Sequence, residues 1–341
     1  MNHFRLLAWS LTVVGCHGAA GADQQQRVAD EMKELVEVQL EAWQRASAAL
    51  ASSAPENAWR EAQQPQIEAM RQHWFVARHA YELIEGVVAP IFPESDVATD
   101  ARYDDFLSKL GPRGDSDAFD GEGVIGMHAI ERILWADAIP AEVQRFEQAL
   151  PGYRPAAFPG TDEQARAFKQ GLAQRLVEDI RGLRRQFEPL TLDIAFAFRG
   201  LIDLAVEQAE KVTLAATGRE ESRYAQTTMR DLRANYQGCR DAYEVFRPWL
   251  WSRDGGNAAD AAVLAAFERL QVVYGAVRGD AIPRPPKTWS SLSPSPADRE
   301  TPFGQLFLAV ATECDAEHDG SLHHSLLRAA EALSLPEQVT R

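Results

Sequence analysis

His128 and Glu131 stand three residues apart in Gly126-Met127-His128-Ala129-Ile130-Glu131-Arg132-Ile133-Leu134-Trp135. On a helix that spacing puts both side chains on one face, within reach of one ion. An imidazole beside a carboxylate suits iron, zinc or manganese, although helices carry such pairs often by chance. Glu82 and Glu85 are also three apart, in Ala80-Tyr81-Glu82-Leu83-Ile84-Glu85, and Asp100, Asp104 and Asp105 crowd a polar segment shortly before the His128 helix. Each group also has an ordinary structural reading: paired glutamates line wet helix faces, and clustered aspartates cap helices or make turns. A bundle that set Glu82 and Glu85 opposite His128 and Glu131 would offer four ligands from two helices, the logic of carboxylate-rich metal bundles with the order His-x-x-Glu.

Other chemistries lack their residues. A zincin needs His-Glu-x-x-His on one helix, and Arg132 stands four residues after His128. The chain has no Gly-x-Ser-x-Gly elbow, no phosphate loop and no dinucleotide fingerprint. His3 and His17 belong to the leader region, while His318, His323 and His324 lie near the C-terminus, where exposure is expected. Cys239 and Cys314 lack the spacing of a zinc knuckle or redox pair, and they read either as two separate buried thiols or as a pair.

The elements that must position these residues are helical. Val28, Met32, Leu35, Val36, Leu40 and Trp43 recur at three- and four-residue intervals within Gln24 to Ala51. The same periodicity predicts helices from Glu56 to Val88, within Val124 to Trp135, from Thr161 through Leu183, from Leu192 to Thr217, from Ser222 to Leu250, from Ala258 to Val277 and from Phe303 to Ala332. Thr161 followed by Asp162 and Glu163 is an N-cap with early acids. Pro151, Pro155, Pro159 and Gly160 form a breaker-rich linker, and the Pro/Ser-rich stretch from Ile282 to Pro296 reads as a loop. No alternating run is long enough for a strand. The expectation is an all-α protein of two antiparallel helical-bundle halves, residues 23–155 with the His-x-x-Glu motif and residues 156–341.

The chain has 341 residues with ordinary globular composition, 50 acidic against 35 basic side chains and a formal charge of -15. This excludes disordered, collagenous and disulfide-framework classes and counts against a nucleic-acid partner. A basic start at Arg5, an apolar run from Leu6 to Val14 and small residues after it describe an export leader over residues 1–22, too short to anchor as a span. Val13-Val14-Gly15-Cys16 has the form of a bacterial lipobox, with Cys16 as the lipidated first residue, whereas Ala20-Gly21-Ala22 is an ordinary cleavage site. Either reading places the protein outside the cytoplasm, with membrane contact only through a lipid anchor.

Four blocks in order carry a family resemblance: Ala77-Arg78-His79-Ala80-Tyr81-Glu82-Leu83-Ile84-Glu85; Thr99-Asp100-Ala101-Arg102-Tyr103-Asp104-Asp105; Gly126-Met127-His128-Ala129-Ile130-Glu131; and Tyr224-Ala225-Gln226-Thr227-Thr228-Met229-Arg230-Asp231 with Ala234, Asn235 and Gly238. Over roughly residues 60 to 335 the chain resembles the imelysin, or M75 peptidase-like, family and within it the EfeO/EfeM-type periplasmic iron-uptake proteins. The resemblance implies two four-helix-bundle-like halves with a metal site, iron or zinc, around the His-x-x-Glu motif. It makes His128, Glu131, Glu82 and Glu85 the leading candidate ligands. Asp104 and Asp105 rank lower, as ligands or supporting acceptors beside Asp100, while Arg102, Tyr224 and Asp231 shape the site or the contact between halves. An inner-membrane iron permease is the kind of partner implied. Met127 stands where relatives usually carry phenylalanine, and Gln226 and Thr228 stand where histidine and aspartate are frequent, which puts metal contact from that block in doubt. The cupredoxin domain of longer EfeO proteins is expected to be absent. The competing readings are a zinc metallopeptidase built on His128 and Glu131, and an interaction module with a degenerate site.

Overall fold

The computed structural model describes residues 16–336, with side chains from residue 23 onward. The leader expected at residues 1–22 and the lipidation expected at the Cys16 side chain fall outside these. Every regular element among the described residues is helical, so the fold is all-α.

Two long helices form the first hairpin: α1 (Cys16–Ser53) and α2 (Gln64–Glu82). Their apolar stripes meet along their length, with Met32, Val36, Leu40 and Trp43 of α1 and Met70, Trp74, Ala77 and Tyr81 of α2 all essentially without solvent exposure. The Trp43 and Tyr81 rings lie 4.9 Å apart. Short helices follow: α3 (Glu85–Ile91), α4 (Pro93–Asp100), α5 (Tyr103–Leu110), α6 (Gly126–Leu134) and α7 (Ala141–Gln148). After the proline-rich connection, α8 (Asp162–Ala167) is capped by the Thr161 hydroxyl, which accepts the Gln164 N–H. It runs through a π-helical segment (Phe168–Ala173) into α9 (Gln174–Phe187), which packs along α1. The rest comprises α10 (Ile194–Ala215), α11 (Thr228–Trp251), α12 (Gly256–Ala276), α13 (Pro296–Arg299), α14 (Pro302–Glu313) and α15 (Leu322–Ala332).

Helix α11 touches α1, α2 and α3 as well as α10 and α12. It therefore joins the first hairpin to the group formed by α10, α12, α14 and α15, and one continuous apolar cluster runs through both. Cys239 and Cys314 are both free thiols; their Sγ atoms face the Leu201 and Ala205 carbonyl oxygens. No helix among the described residues is long and apolar enough to cross a membrane.

Three departures from the periodicity bear on the site. The helix expected from Glu56 to Val88 is interrupted at Leu83 and Ile84, so Glu82 ends α2 and Glu85 begins α3. At that break the α11 backbone presses in: a Cβ on Gly238 would lie 2.1 Å from the Leu83 carbonyl oxygen. The second departure is the start of α11, six residues later than expected, because residues 219–227 form a turn in which Gln226 takes φ +57°. Finally, α4 and α6 come together because Gly126 adopts φ +85° with its Cα against the Thr99 carbonyl, where a Cβ would sit 2.7 Å from the oxygen. That approach puts the start of α6, and His128, beside the end of α4, and Asp100.

Candidate metal centre

All nine residues of α6 are buried, and the Trp74 indole N–H donates to the Met127 carbonyl at 3.0 Å to hold α6 against α2. His128 and Glu131 emerge on one face, as their spacing predicts. Glu131 engages the protein with both carboxylate oxygens. Its Oε2 lies 2.7 Å from His128 Nδ1, and its Oε1 accepts the backbone N–H groups of Tyr224 and Ala225 at 2.9 and 2.8 Å. The carboxylate fixes the imidazole orientation and keeps the Nδ1 position as the donor, an arrangement typical of metal-ligating histidines.

The other ring nitrogen is the telling atom. His128 Nε2 is buried and has no hydrogen-bond partner among the described residues. It lies 3.5 Å from Asp100 Oδ1 and 3.5 Å from Glu221 Oε1. The three donor atoms fall within 4.8 Å of one another. Donors bound at about 2.1 Å in a roughly tetrahedral array stand about 3.4 Å apart, so the spacing suits a transition-metal ion. One imidazole and two carboxylates form a borderline-to-hard donor set compatible with iron or zinc.

Two buried cations complete the cluster. The Arg78 guanidinium contacts Glu82 and Asp100, and it lies 3.2 Å from Glu221 Oε1 and 3.8 Å from Asp231 Oδ2. The Lys211 ammonium sits 3.1 Å from Glu85, 3.5 Å from Glu82 and 3.5 Å from Glu221 Oε2, and donates to Asn235 Oδ1 at 3.0 Å. Asn235 in turn donates to Glu85 Oε2 at 2.7 Å and to the Glu82 carbonyl at 3.0 Å. Glu82 and Glu85 therefore face Arg78, Lys211 and Asn235.

The charges decide protonation. Burial opposes an ionised Glu221, yet Lys211, His128 and Arg78 together hold its carboxyl well below the usual range. Burial and Arg78 both work against a charged His128, and the Glu131 and Glu221 carboxylates outweigh them, leaving its pKa above 6.5. Burial pushes Glu82 well up despite Arg78 and Lys211, and raises Asp231 to about 6.

The remaining candidate residues build the surroundings. Asp104 receives Arg223 at 2.8 Å and Arg219 at 3.5 Å, while the Tyr224 hydroxyl donates to Glu147, which also pairs with Arg132 at 3.0 Å. These contacts pin the turn that supplies Glu221 and the two N–H groups on Glu131. Asp231, at the start of α11, accepts the Ser222 hydroxyl of the same turn. Asp105 and Arg102 pair with each other at 3.4 Å in the capping box of α5, with Asp105 44% exposed.

Asp100, expected as a supporting acceptor, stands directly at His128 Nε2. Glu221 and Lys211 escaped the sequence reading. Glu221 lies in a turn, where no periodicity marks it; its one sequence signal is its place three residues before the Tyr224 block. Lys211 falls on an apolar helix with Glu207 and Glu210 nearby, where a cation reads as surface pairing.

The imelysin (peptidase M75) sequence profile matches residues 29–285. Among characterised proteins, the chain is 26% identical over 185 residues to the iron uptake system component EfeO of Yersinia pseudotuberculosis, covering 54% of this chain and 38% of that protein. It is 24% identical over 213 residues to the component of the same name in Escherichia coli, covering 62% and 45% respectively. The chain thus spans less than half the length of these curated relatives. With a profile match across most of its length, an all-helical fold and the motif blocks in order, the chain belongs to the imelysin family.

Proposed function

We propose that this protein captures a divalent metal ion, iron in the first instance, in an extracytoplasmic uptake system, and that His128, Asp100 and Glu221 are the ligands. The observation that carries the reading is the buried, unpartnered Nε2 of His128 facing two carboxylate oxygens at 3.5 Å each. Both contacts lack hydrogen-bond geometry, so the three atoms converge without bonding one another and stand available to an ion. The EfeO relatives are named as iron uptake components, which supports iron as the cargo. Export rests on the leader-like residues 1–22, and delivery to an inner-membrane permease is the corresponding partner role.

Binding fits the site better than peptide cleavage does. His128, Glu131 and Glu221 are each less than 8% exposed, and an extended peptide needs an open cleft beside the metal. Ligand protonation competes with the ion, so retention is expected to weaken on acidification.

The test is titration of the mature chain with Fe(II) under anaerobic conditions and with Zn(II), comparing wild type with His128→Ala and Glu221→Gln. Micromolar or tighter binding in the wild type and at least a tenfold loss in both variants is expected. Equal affinity in all three proteins would remove the site from the function.

A further inference from the structure

The same two oxygens serve two cationic roles. Asp100 Oδ1 and Glu221 Oε1 flank His128 Nε2, and both are engaged by Arg78, through Nη1 on Asp100 and Nη2 on Glu221. A guanidinium is a planar fork that bridges carboxylate oxygens well, and it stays charged at every relevant pH. It can vacate those oxygens only by moving, never by losing its proton. Arg78 is almost completely buried, so solvent does not weaken its hold.

We propose that Arg78 is an internal competitor for the metal site: its guanidinium occupies the Asp100 and Glu221 oxygens, and an incoming ion must displace it. This rests on the metal-capture reading above. The displaced group stays beside two further carboxylates that it already touches or nearly touches, Glu82 and Asp231. Neither flanks His128 Nε2, so the cluster can exchange one cation for another without stranding the arginine. Lys211 is placed differently. It reaches Glu221 through Oε2 and is otherwise held by Glu82, Glu85, Glu207 and Asn235. It can stay while the ion enters.

Two consequences follow for a capture protein. Affinity is set below what the bare ligands would give, so cargo can be handed on. Monovalent cations are disfavoured, because a singly charged ion gains nothing over the guanidinium already in place, whereas a doubly charged ion does.

The experiment is calorimetric titration of the mature chain with Zn(II), using wild type, Arg78→Met, Arg78→Lys, Arg78→Met/Glu82→Gln and His128→Ala. Arg78→Lys keeps the positive charge, so tighter binding in it reports vacated oxygens and not added negative charge, while the double variant removes the guanidinium together with its Glu82 partner. The double variant thus leaves one carboxylate fewer unpaired than Arg78→Met does, and Arg78→Lys also serves if either methionine variant fails to fold. The double variant is expected to bind at least tenfold tighter than wild type, with Arg78→Lys in between. Zinc binding by the variants but not by wild type would also support the proposal. Equal or weaker binding in the Arg78 variants, with wild-type binding abolished by His128→Ala, would overturn the competitor role and leave the metal site standing. No binding in any protein would overturn the metal reading and the competitor role together.

Discussion

Glu131 and His128 share the motif but divide its work. With Oε1 held by two backbone N–H groups and Oε2 on Nδ1, Glu131 has no free oxygen to offer, so in the proposed metal site it would act through the imidazole, with Nε2 as the coordinating atom. Glu131→Gln should therefore weaken Zn(II) binding by about 10- to 100-fold, because one end of the amide must face a donor with a donor. Calorimetry on a folded variant checks this, and unchanged affinity would contradict the orienting role. A second residue-scale prediction concerns Asp96, which accepts the Tyr81 hydroxyl. Burial and then the Glu85 charge raise its pKa to about 6, above the ordinary carboxylate value. The folded state thus holds more protons than the unfolded state between about pH 4 and 6, so this contribution to stability is present in acid and is lost as pH rises through 6. Asp96→Asn should remove that loss. The melting temperature of the variant relative to wild type should rise between pH 4.5 and pH 8, by an amount worth at most about 3 kcal/mol. A difference that is flat with pH would contradict the assignment.

At the scale of elements, the site depends on where helices stop. Gly126 lets α6 begin against the end of α4, in a left-handed conformation with no room for a Cβ. Gly126→Ala should cost roughly 2–4 kcal/mol, from backbone strain plus the clash with Thr99, and should weaken metal binding by separating His128 from Asp100. Thermal melting and zinc titration read the two effects, and a variant as stable as wild type would contradict the tight approach. These junctions also explain what the sequence could and could not reveal. The spacing of His128 and Glu131, the N-cap at Thr161 and the apolar stripes of α1 and α2 are local, and local periodicity exposes them. Glu82 and Glu85 share the same spacing, but the chain breaks between them where Gly238 of α11 meets Leu83, a contact that no local pattern encodes. Nothing in the neighbourhood of Glu131 shows that a turn some ninety residues later engages one of its oxygens. Glu221 belongs to that turn, and its place beside His128 depends on Arg223 and Tyr224 being held by Asp104 and Glu147.

For the whole molecule, the central fact is convergence. The end of α2, the end of α4, the start of α6, the last turns of α10 and the turn before α11 bring carboxylates, one imidazole and two cations into a buried cluster. The mature protein is expected to work outside the cytoplasm, and the leader reading with Cys16 as a lipid-bearing residue makes a cellular prediction. Cys16→Ser should move the protein from the membrane to the soluble extracytoplasmic fraction, as judged by fractionation and by loss of the lipid mass. A wild-type chain that is already soluble and begins after Ala22 would favour ordinary cleavage. The most direct test of the central claim is anomalous diffraction from crystals of the mature protein soaked in Zn(II). The expected result is a single strong peak at bonding distance from His128 Nε2, Asp100 and Glu221, with Glu131 on Nδ1. A peak between Glu82 and Glu85, away from His128, would contradict it.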